Sequence, residues 1–210
     1  MVTNPDPRQS ETMVQQEIDP LPIQADGQLM QRVAAGQHAA WKQLVDRELT
    51  RVLTLANRLL GNQQEAEEIT QESFLRLWQQ APHWRAQARI ATWLYRVAHN
   101  LAIDRLRQRH RLPEEICWEE EEDRLLLPEE CSPLALLEQA ERRQLLETAL
   151  AAIPIPCRSA VILVNMLGLR VSEAAQVMQR EEKEVAALLA RGRKRLRVLL
   201  APWRNILLGE

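Results

Sequence analysis

Several residue types are scarce in this chain, and each scarcity narrows the possible fold. The 210 residues include only three cysteines, six glycines, one tyrosine and one phenylalanine. Cys117, Cys131 and Cys157 form no CxxC pair and no cluster with histidine, which is typical of a reducing cytosol and not of a disulfide framework or a zinc site. β-Branched residues are sparse whereas leucine and alanine dominate, so the composition favours helices over sheets.

Long apolar runs and catalytic motifs are also missing. No segment approaches the roughly 18 apolar residues of a membrane-spanning helix, and residues 1–26 lack a signal-peptide core. The four histidines (His38, His83, His99, His110) lack the spacing of a metal site or a triad, and there is no glycine-rich phosphate loop. We therefore expect an intracellular protein that is not an enzyme, with no catalytic residue, metal, cofactor or membrane insertion, and with His99 and His110 on helix surfaces.

Charge is segregated along the chain, although the formal net charge is only −2. Nine acidic residues and one arginine occupy 114–130, whereas basic residues concentrate in 105–111 and 191–197. Segregation of this kind indicates a surface that faces a polyanion.

The hydrophobic pattern predicts an all-α protein with two small helical domains joined by an acidic linker. Residues 1–25, which contain four prolines, predict a disordered tail. The first domain covers 26–112, the linker 113–133 and the second domain 134–210. Helices are predicted over 28–35, 38–60, 62–80, 91–111, 134–153, 158–167, 172–178 and 181–200. Gly61 would end the second helix, and Asn62 would cap the third with Glu65 three residues on.

Two of these helices have well-defined apolar stripes, which we expect to face the cores. In the helix over 38–60 the inward residues would be Trp41, Leu44, Val45, Leu49, Val52, Leu55 and Leu59. In the helix over 181–200 they would be Val185, Leu188, Leu189, Gly192, Leu196 and Leu199.

The helix over 91–111, "ATWLYRVAHNLAIDRLRQRHR", combines an apolar stripe with a ladder of arginines. Its core stripe would be Leu94, Val97, Ala98 and Leu101. The opposite side would carry Trp93, Arg96, Asn100 and Arg107 within an arc of roughly 60°, and Arg105, Arg109 and Arg111 extend the positive charge. Arginine neutralises phosphate, asparagine pairs with a base edge and tryptophan stacks on an unpaired base. The alternative is a solvated arginine-rich face with Trp93 half in the core.

Three segments occur together in order: "EAEEITQESFLRLW" (65–78), the loop 81–90 and "TWLYRVAHNLAIDRLR" (92–107). This combination resembles region 2 of bacterial RNA polymerase sigma factors of the sigma-70 family, in the extracytoplasmic-function (ECF) group. The match spans about residues 38–111. Residues 134–200 resemble region 4 of the same family, a helix-turn-helix.

The resemblance implies a cytoplasmic bacterial protein that binds core RNA polymerase, through the β′ clamp helices and the β flap, together with promoter DNA and an anti-sigma factor. Residues on the third helix would contact the clamp helices: Glu65, Glu67, Glu68, Gln71, Glu72, Leu75 and Trp78. Without the resemblance, a solvated acidic face would explain the same acids.

The loop and the fourth helix would bind and help open the promoter −10 element, with an unstacked base held in a pocket of the loop. The residues implied are Arg85, Gln87, Arg89, Trp93, Arg96, Asn100, Arg105, Arg107 and Arg109. The last helix would enter the major groove at the −35 element. Its implied residues are Arg180, Glu184, Ala187, Arg191, Arg193, Lys194 and Arg195.

The second domain departs from the family pattern at its helix-turn-helix. Arg170 replaces a usual serine, and the usual glycine and serine of the turn are Gln179 and Glu181. Glu184, Ala186, Ala187 and Leu188 stand where the family offers polar residues to DNA. We therefore expect −35 recognition that is weak, unusual or led by Arg180, Arg191 and Lys194.

Two features leave alternatives open. The linker is either a soluble spacer or a segment with a function, such as mimicry of nucleic acid or folding back on 105–111, and its cysteines are either idle or redox-active. The protein is either a working sigma factor or a sigma-like decoy that binds an anti-sigma factor without directing transcription. An ordinary helix-turn-helix regulator would leave the 62–111 block unexplained.

Overall fold

The computed structural model describes residues 23–86, 88–110 and 138–203, which fold into helices and turns. In chain order the helices are α1 Ile23–Ala34, α2 His38–Leu60, α3 Gln63–Gln80, α4 Ile90–His110, α5 Glu138–Ala151, α6 Ile155–Val161, α7 Val171–Met178 and α8 Glu182–Leu200. Helices α1–α4 form an amino-terminal bundle and α5–α8 a carboxy-terminal bundle, so the predicted fold class is confirmed. None of these described helices is long and apolar enough to cross a membrane.

Several boundaries differ from the predicted ones. Helix α1 begins at Ile23, inside the predicted tail, because buried Asp26 ties this turn to the bundle through a hydrogen bond from Ile90 N. Helix α6 begins at Ile155, since Pro156 lies in the first turn, where proline is tolerated. A π-helical turn, Ile162–Met166, then continues α6. The linker 113–133 and residues 1–22 of the tail lie outside the described residues.

The core of the amino-terminal bundle is built by α2, α3 and α4. Leu44, Leu55 and Leu59 of α2 are fully buried, together with Leu77 of α3 and Leu94 of α4. Such burial of aliphatic side chains stabilises the bundle by about 2 kcal/mol per residue. This core fixes which faces of α3 and α4 remain exposed.

The predicted inward stripe of α2 is wrong at one position. Leu49 is 41% exposed, whereas its neighbour Glu48 is buried. The inward stripe of α2 follows i, i+4 spacing from Leu44 to Glu48 and Val52, which leaves Leu49 rotated away from the core.

Glu48 is buried because an arginine compensates its charge and a tyrosine donates a hydrogen bond to it. Arg47 Nε donates to its carboxylate at 2.8 Å and Tyr95 Oη donates at 3.4 Å. Arg47 also pairs with Asp26 at 2.9 Å, so one guanidinium joins two buried carboxylates. Burial and the adjacent Glu48 carboxylate raise the pKa of Tyr95 well above its usual range, so this phenol stays protonated.

The turn between α2 and α3 follows the predicted capping. Gly61 adopts the left-handed conformation (φ 62°) and its N–H donates to Asn57 O. Asn62 Oδ1 accepts from Glu65 N at 3.0 Å. The carboxylate of Glu65 pairs with Arg109 of α4, so this residue links the two helices.

The two bundles pack against each other. Helix α7 lies on α4, and α5 and α6 contact α2. The side chain of Arg158 donates across the boundary to Leu59 O at 2.9 Å and within its own bundle to Ala151 O at 2.6 Å. Burial lowers the pKa of Arg158 from its ordinary value. On the same side, Arg58 pairs with Glu147 at 3.1 Å.

The expectation that His99 lies on the surface is wrong. It is only 7% exposed, because α7 packs on α4 and Ser159 of α6 reaches its ring. A hydrogen bond of 3.1 Å joins His99 Nε2 and Ser159 Oγ of α6. Burial lowers the pKa of His99 to about 4, and the positive charges of Arg180 and Arg107 act in the same direction. The imidazole is therefore neutral in the native protein.

We expect acid to destabilise the protein through His99. Unfolding restores an ordinary pKa of about 6.5, so between the two pKa values the unfolded chain binds the extra proton. The stability that this residue contributes is present above the unfolded pKa and is lost as pH falls toward 4. The loss amounts to about 2 kcal/mol on going from pH 7.5 to about pH 5. Urea unfolding should detect it in the wild type.

In the variant His99→Gln the side chain at position 99 binds no proton. Its free energy of unfolding should therefore fall by about 2 kcal/mol less over this pH range than that of the wild type. The matched control His83→Gln replaces an exposed histidine and should follow the wild type. Equal pH dependence in His99→Gln and the wild type would contradict the assignment.

Close packing of α8 on α6 depends on Gly192. A Cβ atom at this position would lie 2.7 Å from Val161 Cγ2 and 3.0 Å from Cys157 O. Gly192→Ala should therefore destabilise the carboxy-terminal bundle by about 1 kcal/mol, since overpacking outweighs the gain in helix propensity. Ala190→Gly, at an exposed position of the same helix, measures propensity alone in the same denaturant titration. Stabilisation by Gly192→Ala would refute this close approach.

Candidate nucleic-acid interface

Helix α3 presents an acidic and apolar face to solvent. Its opposite face is buried, and there the hydroxyls of Thr70 and Ser73 donate to backbone carbonyls of the same helix. Leu75 and Trp78 are large apolar side chains that remain 51% and 42% exposed. The predicted polymerase-binding residues share this outer face, with Glu67, Glu68, Gln71, Leu75 and Trp78 exposed and Glu65 and Glu72 half-buried.

Trp78 is held in place by an aromatic cluster. Its ring meets Trp41 edge to face, with ring centres 5.0 Å apart, and Trp41 meets buried Phe74 at 6.0 Å. The exposed indole is therefore rigid, which suits a contact residue because little side-chain entropy is lost on binding.

Two predicted DNA-binding arginines face α3. Arg105 pairs with Glu68 at 3.2 Å and with Glu65 at 3.7 Å. Arg109 also pairs with Glu65, and it donates to Leu60 O at 3.2 Å. These guanidiniums neutralise the inner edge of the acidic face, so the structure separates them from the arginines on the opposite side of α4.

The outer side of α4 brings together the other residues of the predicted promoter face. Arg96, Asn100 and Arg107 are exposed, and Arg107 pairs with Asp104 at 3.6 Å. Trp93 is half-buried and packs edge to face on Trp84 of the preceding loop, with ring centres 6.1 Å apart. The face therefore offers two cations and an amide beside a braced indole.

The loop before α4 is anchored by a residue that sequence reasoning missed. Buried Asp26 accepts from Ile90 N at 2.8 Å and thereby caps the first turn of α4. A Cβ on the adjacent Gly27 would lie 3.1 Å from Ala86 Cβ, so α1 packs closely on this loop. A carboxylate in the apolar stripe of a helix is the only sequence signal that could have indicated this role.

The predicted loop residues occupy different environments. Arg85 is exposed, whereas Arg89 is half-buried and pairs with Glu173 of α7 at 3.1 Å. Gln87 lies outside the described residues.

Helix α8 carries the predicted −35 residues other than Arg180, which lies in the turn before it, and the apolar stripe of α8 is packed inward. Ala187, Arg191 and Lys194 are exposed. Arg180 pairs with exposed Glu184 at 3.7 Å, so their charges compensate each other. Exposed Arg193 donates to Asn165 Oδ1 at 2.9 Å, and Arg195 is half-buried. The face is a strip of alanines bordered by basic side chains.

The turn before α8 contains a strained residue. Gln179 ends α7 in the left-handed conformation (φ 54°), and it is the one residue other than glycine with positive φ in the described part of the chain. In the family this position of the turn is usually a glycine. At the start of α7, Glu173 accepts from Arg170 N at 2.9 Å, which satisfies a different backbone donor from the one that a serine at position 170 would cap.

Comparison with known proteins agrees with this architecture. The sigma-70 region 2 family matches residues 44–112, and the sigma-70 region 4 family matches residues 143–196. The structure of CnrH in complex with the cytosolic domain of CnrY is similar with a TM-score of 0.62 and 22% identity, covering 85% of this chain and 98% of that one. The sigma factor RpoE of Bartonella quintana, solved with the anti-sigma factor NepR, gives a TM-score of 0.57 and 21% identity, covering 76% and 96%. These likenesses concern the fold.

The sequence relatives include two ECF RNA polymerase sigma factors. SigE of Mycolicibacterium smegmatis is 33% identical over 171 residues, and SigW of Bacillus subtilis is 38% identical over 80 residues. These matches cover 80% and 38% of this chain, but only 65% and 43% of the two relatives. The RNA polymerase sigma-H factor of Pseudomonas aeruginosa is 30% identical over 183 residues, covering 84% of this chain and 94% of that protein. The chain therefore belongs to the sigma-70 family of RNA polymerase sigma factors, in its ECF subfamily.

Proposed function

We propose that this protein is a transcription initiation factor that binds core RNA polymerase in the bacterial cytoplasm, directs it to a set of promoters and helps to open the −10 element. One observation carries the proposal: adjacent helices of a single bundle present opposite chemistry. The outer face of α3 is acidic and apolar, whereas the outer side of α4 offers arginines and an asparagine. A protein that bridges a basic protein surface and DNA needs both faces.

The α3 face fits a basic partner with an apolar patch, which supports binding to the β′ clamp helices. Exposed Glu67 and Glu68 would contribute charge complementarity, and the rigid Trp78 and exposed Leu75 would supply the apolar centre. A surface that combines acids with large apolar groups repels phosphate, so DNA is not its partner.

The α4 face fits single-stranded DNA. Arg96 and Arg107 would neutralise phosphates, Asn100 would pair with a base edge, and Trp93 would stack beside an unpaired base. Stacking and edge contacts must offset the few kcal/mol that are needed to unstack a base.

The α8 face supports contact with duplex DNA in which backbone binding dominates. Arg191 and Lys194 are placed to grip phosphates. The exposed methyl groups of Ala186 and Ala187 can contact thymine methyls but accept no hydrogen bond. In this proposal the protein uses no catalytic group, metal or cofactor of its own, and an anti-sigma factor and the β flap are further partners.

The apolar centre of α3 can be tested by core binding. Leu75→Ala should weaken the binding of purified core polymerase by about tenfold, as expected for an interface anchor, and leave the stability unchanged because the side chain is exposed. Leu49→Ala removes an equally apolar and similarly exposed side chain from α2 and serves as the control. Equal effects of the two variants in a titration of labelled protein with core would exclude a specific role for Leu75.

The promoter role can be tested by run-off transcription with core polymerase on templates with randomised −35 and −10 elements. The wild type should enrich a −10 sequence, and Arg96→Ala should lower the yield by about tenfold while core binding is retained. Arg32→Ala removes an exposed arginine from α1 as the control.

Enrichment of a −10 sequence without a −35 sequence would mean that α8 contacts only the DNA backbone. Binding to core without transcription from any promoter, or no binding to core, would favour the alternative that the protein is a sigma-like decoy.

A further inference from the structure

An asparagine in the turn after α6 holds one of the basic side chains of α8. Asn165 Oδ1 accepts from Arg193 Nε at 3.2 Å and from Arg193 Nη2 at 2.9 Å. Both residues are exposed, so the pair lies on the surface of the carboxy-terminal bundle. Nothing in the sequence pattern indicates a role for Asn165, because its partner is 28 residues away on another helix.

The backbone around Asn165 directs its side chain toward α8. Asn165 lies in the π-helical turn Ile162–Met166, which Leu167 N closes by donating to Ile162 O at 3.0 Å. Such a turn contains one residue more than a turn of α-helix, so its side chains are rotated relative to those of a continuing α-helix. Gly168, with a φ of 72°, follows directly and ends the segment. Turns of this kind occur frequently at functional sites.

Close packing of α8 on α6 brings Arg193 within reach of Asn165. The preceding residue, Gly192, has no side chain, and a Cβ atom there would lie 2.7 Å from Val161 Cγ2. Arg193 therefore leaves α8 at the edge of this close contact, next to the end of α6, while its charged group remains in solvent.

The pair presents hydrogen-bond donors, and its one side-chain acceptor is occupied. A guanidinium carries five N–H donors, and two of those on Arg193 are used by Asn165 Oδ1. The remaining N–H groups of Arg193 stand beside the amide nitrogen of Asn165, which is itself a donor because the amide oxygen is turned toward the guanidinium. A cation in a fixed arrangement with further donors matches the oxygens of a phosphate.

Arg193 and Arg191 border the outer face of α8 on opposite sides. At 100° per residue, their directions differ by about 200° around the helix axis. Exposed Ala187 and Ala190 lie between them on the outer face. A helix in the major groove has one DNA backbone on each side, so the two borders are placed to reach phosphates of different strands.

We propose that Asn165 and Arg193 form a clamp for one backbone phosphate of duplex DNA, on the border of α8 opposite to Arg191. Asn165 donates to the phosphate through its amide nitrogen and holds the guanidinium of Arg193 in place, so less side-chain entropy is lost on binding. This inference deepens the proposed duplex contact of α8 and rests on it. It extends that contact to a residue outside α8, in the turn after α6.

The clamp can be tested by the salt dependence of duplex binding. The full chain is titrated into a fluorescein-labelled DNA duplex and followed by fluorescence anisotropy at increasing KCl concentrations, starting at low ionic strength. Asn165→Asp keeps the acceptor for Arg193 but adds a negative charge and removes the amide donor. Its affinity should fall on the order of tenfold, and the slope of log affinity against log salt should decrease by about one, since one phosphate contact is lost.

Gln144→Glu is the matched control, because it adds the same charge to an exposed amide of α5 in the same bundle. Its affinity and salt slope should follow the wild type. An equal loss in this control would mean that net charge causes the effect, and it would overturn the clamp. Urea unfolding should give both variants the stability of the wild type, since both positions are exposed.

A double-mutant cycle separates joint action from independent contacts. Asn165→Ala should lower the affinity of the wild type on the order of fivefold, but that of Arg193→Ala by less than roughly twofold, because the amide alone attracts no anion. Equal losses in the two backgrounds would overturn the clamp.

Inorganic phosphate distinguishes a backbone phosphate from a free anion. Replacing part of the chloride by millimolar phosphate at constant ionic strength should change the wild-type affinity by less than roughly twofold, since a single phosphate lacks the neighbouring contacts of a duplex. Competition by phosphate that Asn165→Asp abolishes would indicate a site for the free anion and would overturn DNA as the ligand.

Arg191→Ala separates failure of the clamp from failure of the function on which it rests. This variant removes a phosphate contact from the opposite border and should also bind duplex more weakly. A loss in Arg191→Ala without a loss in Asn165→Asp would overturn the clamp alone. Absence of duplex binding by the wild type at low salt would overturn the clamp together with the proposed duplex contact of α8.

Discussion

The buried carboxylate of Asp26 sets the position of α4, on which the rest of the arrangement depends. One of its oxygens accepts from the first N–H of α4 and the other from Arg47. Arg47 also holds Glu48, which in turn accepts from Tyr95 of α4. Two turns of α4 are thus tied to α1 and α2. This fixes its rotation about its own axis, and with it the set of side chains that face α3, α7 and solvent.

That rotation determines which side chains of α4 face the core, α3 and the outer side. Buried Leu94 and Ala98 face the core, Arg105 and Arg109 face the acids of α3, and Arg96 and Asn100 remain on the outer side. The arginines along the helix therefore differ in role. Pairing of Arg105 and Arg109 with α3 neutralises the acids nearest to the boundary between the two faces, which lowers their repulsion of an anion on the outer side of α4.

Much of the fold could be predicted from the sequence, because apolar spacing and capping are local signals. Helix α2 has the predicted bounds, and Asn62 caps α3 as expected. The errors involve tertiary contacts. Glu48 is buried in place of Leu49 only because Arg47 and Tyr95 reach it, and His99 is buried only because another bundle covers it. A helical wheel of α2 does not show Tyr95, and one of α4 does not show Ser159.

The candidate site shows the same limit. A wheel placed Arg96, Asn100 and Arg107 on one side, and the structure finds them exposed there. The wheel placed Arg105 and Arg109 outside this arc but did not show their partners, which lie on α3, and it gave Asp26 no role. Gln179 was noticed only as a departure from the glycine of the family, and its contact with Asn100 required the packing of the two bundles.

The packing of the two bundles has energetic consequences that follow from the type of the contacts between them. The half-buried pair of Arg89 and Glu173 contributes on the order of 1 kcal/mol, and a neutral hydrogen bond such as that between Asn100 and Gln179 about 1 kcal/mol. These contacts are individually weak, and the bonds of Arg158 to Leu59 O and of His99 to Ser159 add to them at the same boundary. The acidic and apolar face of α3 lies outside the α7 contact and remains exposed.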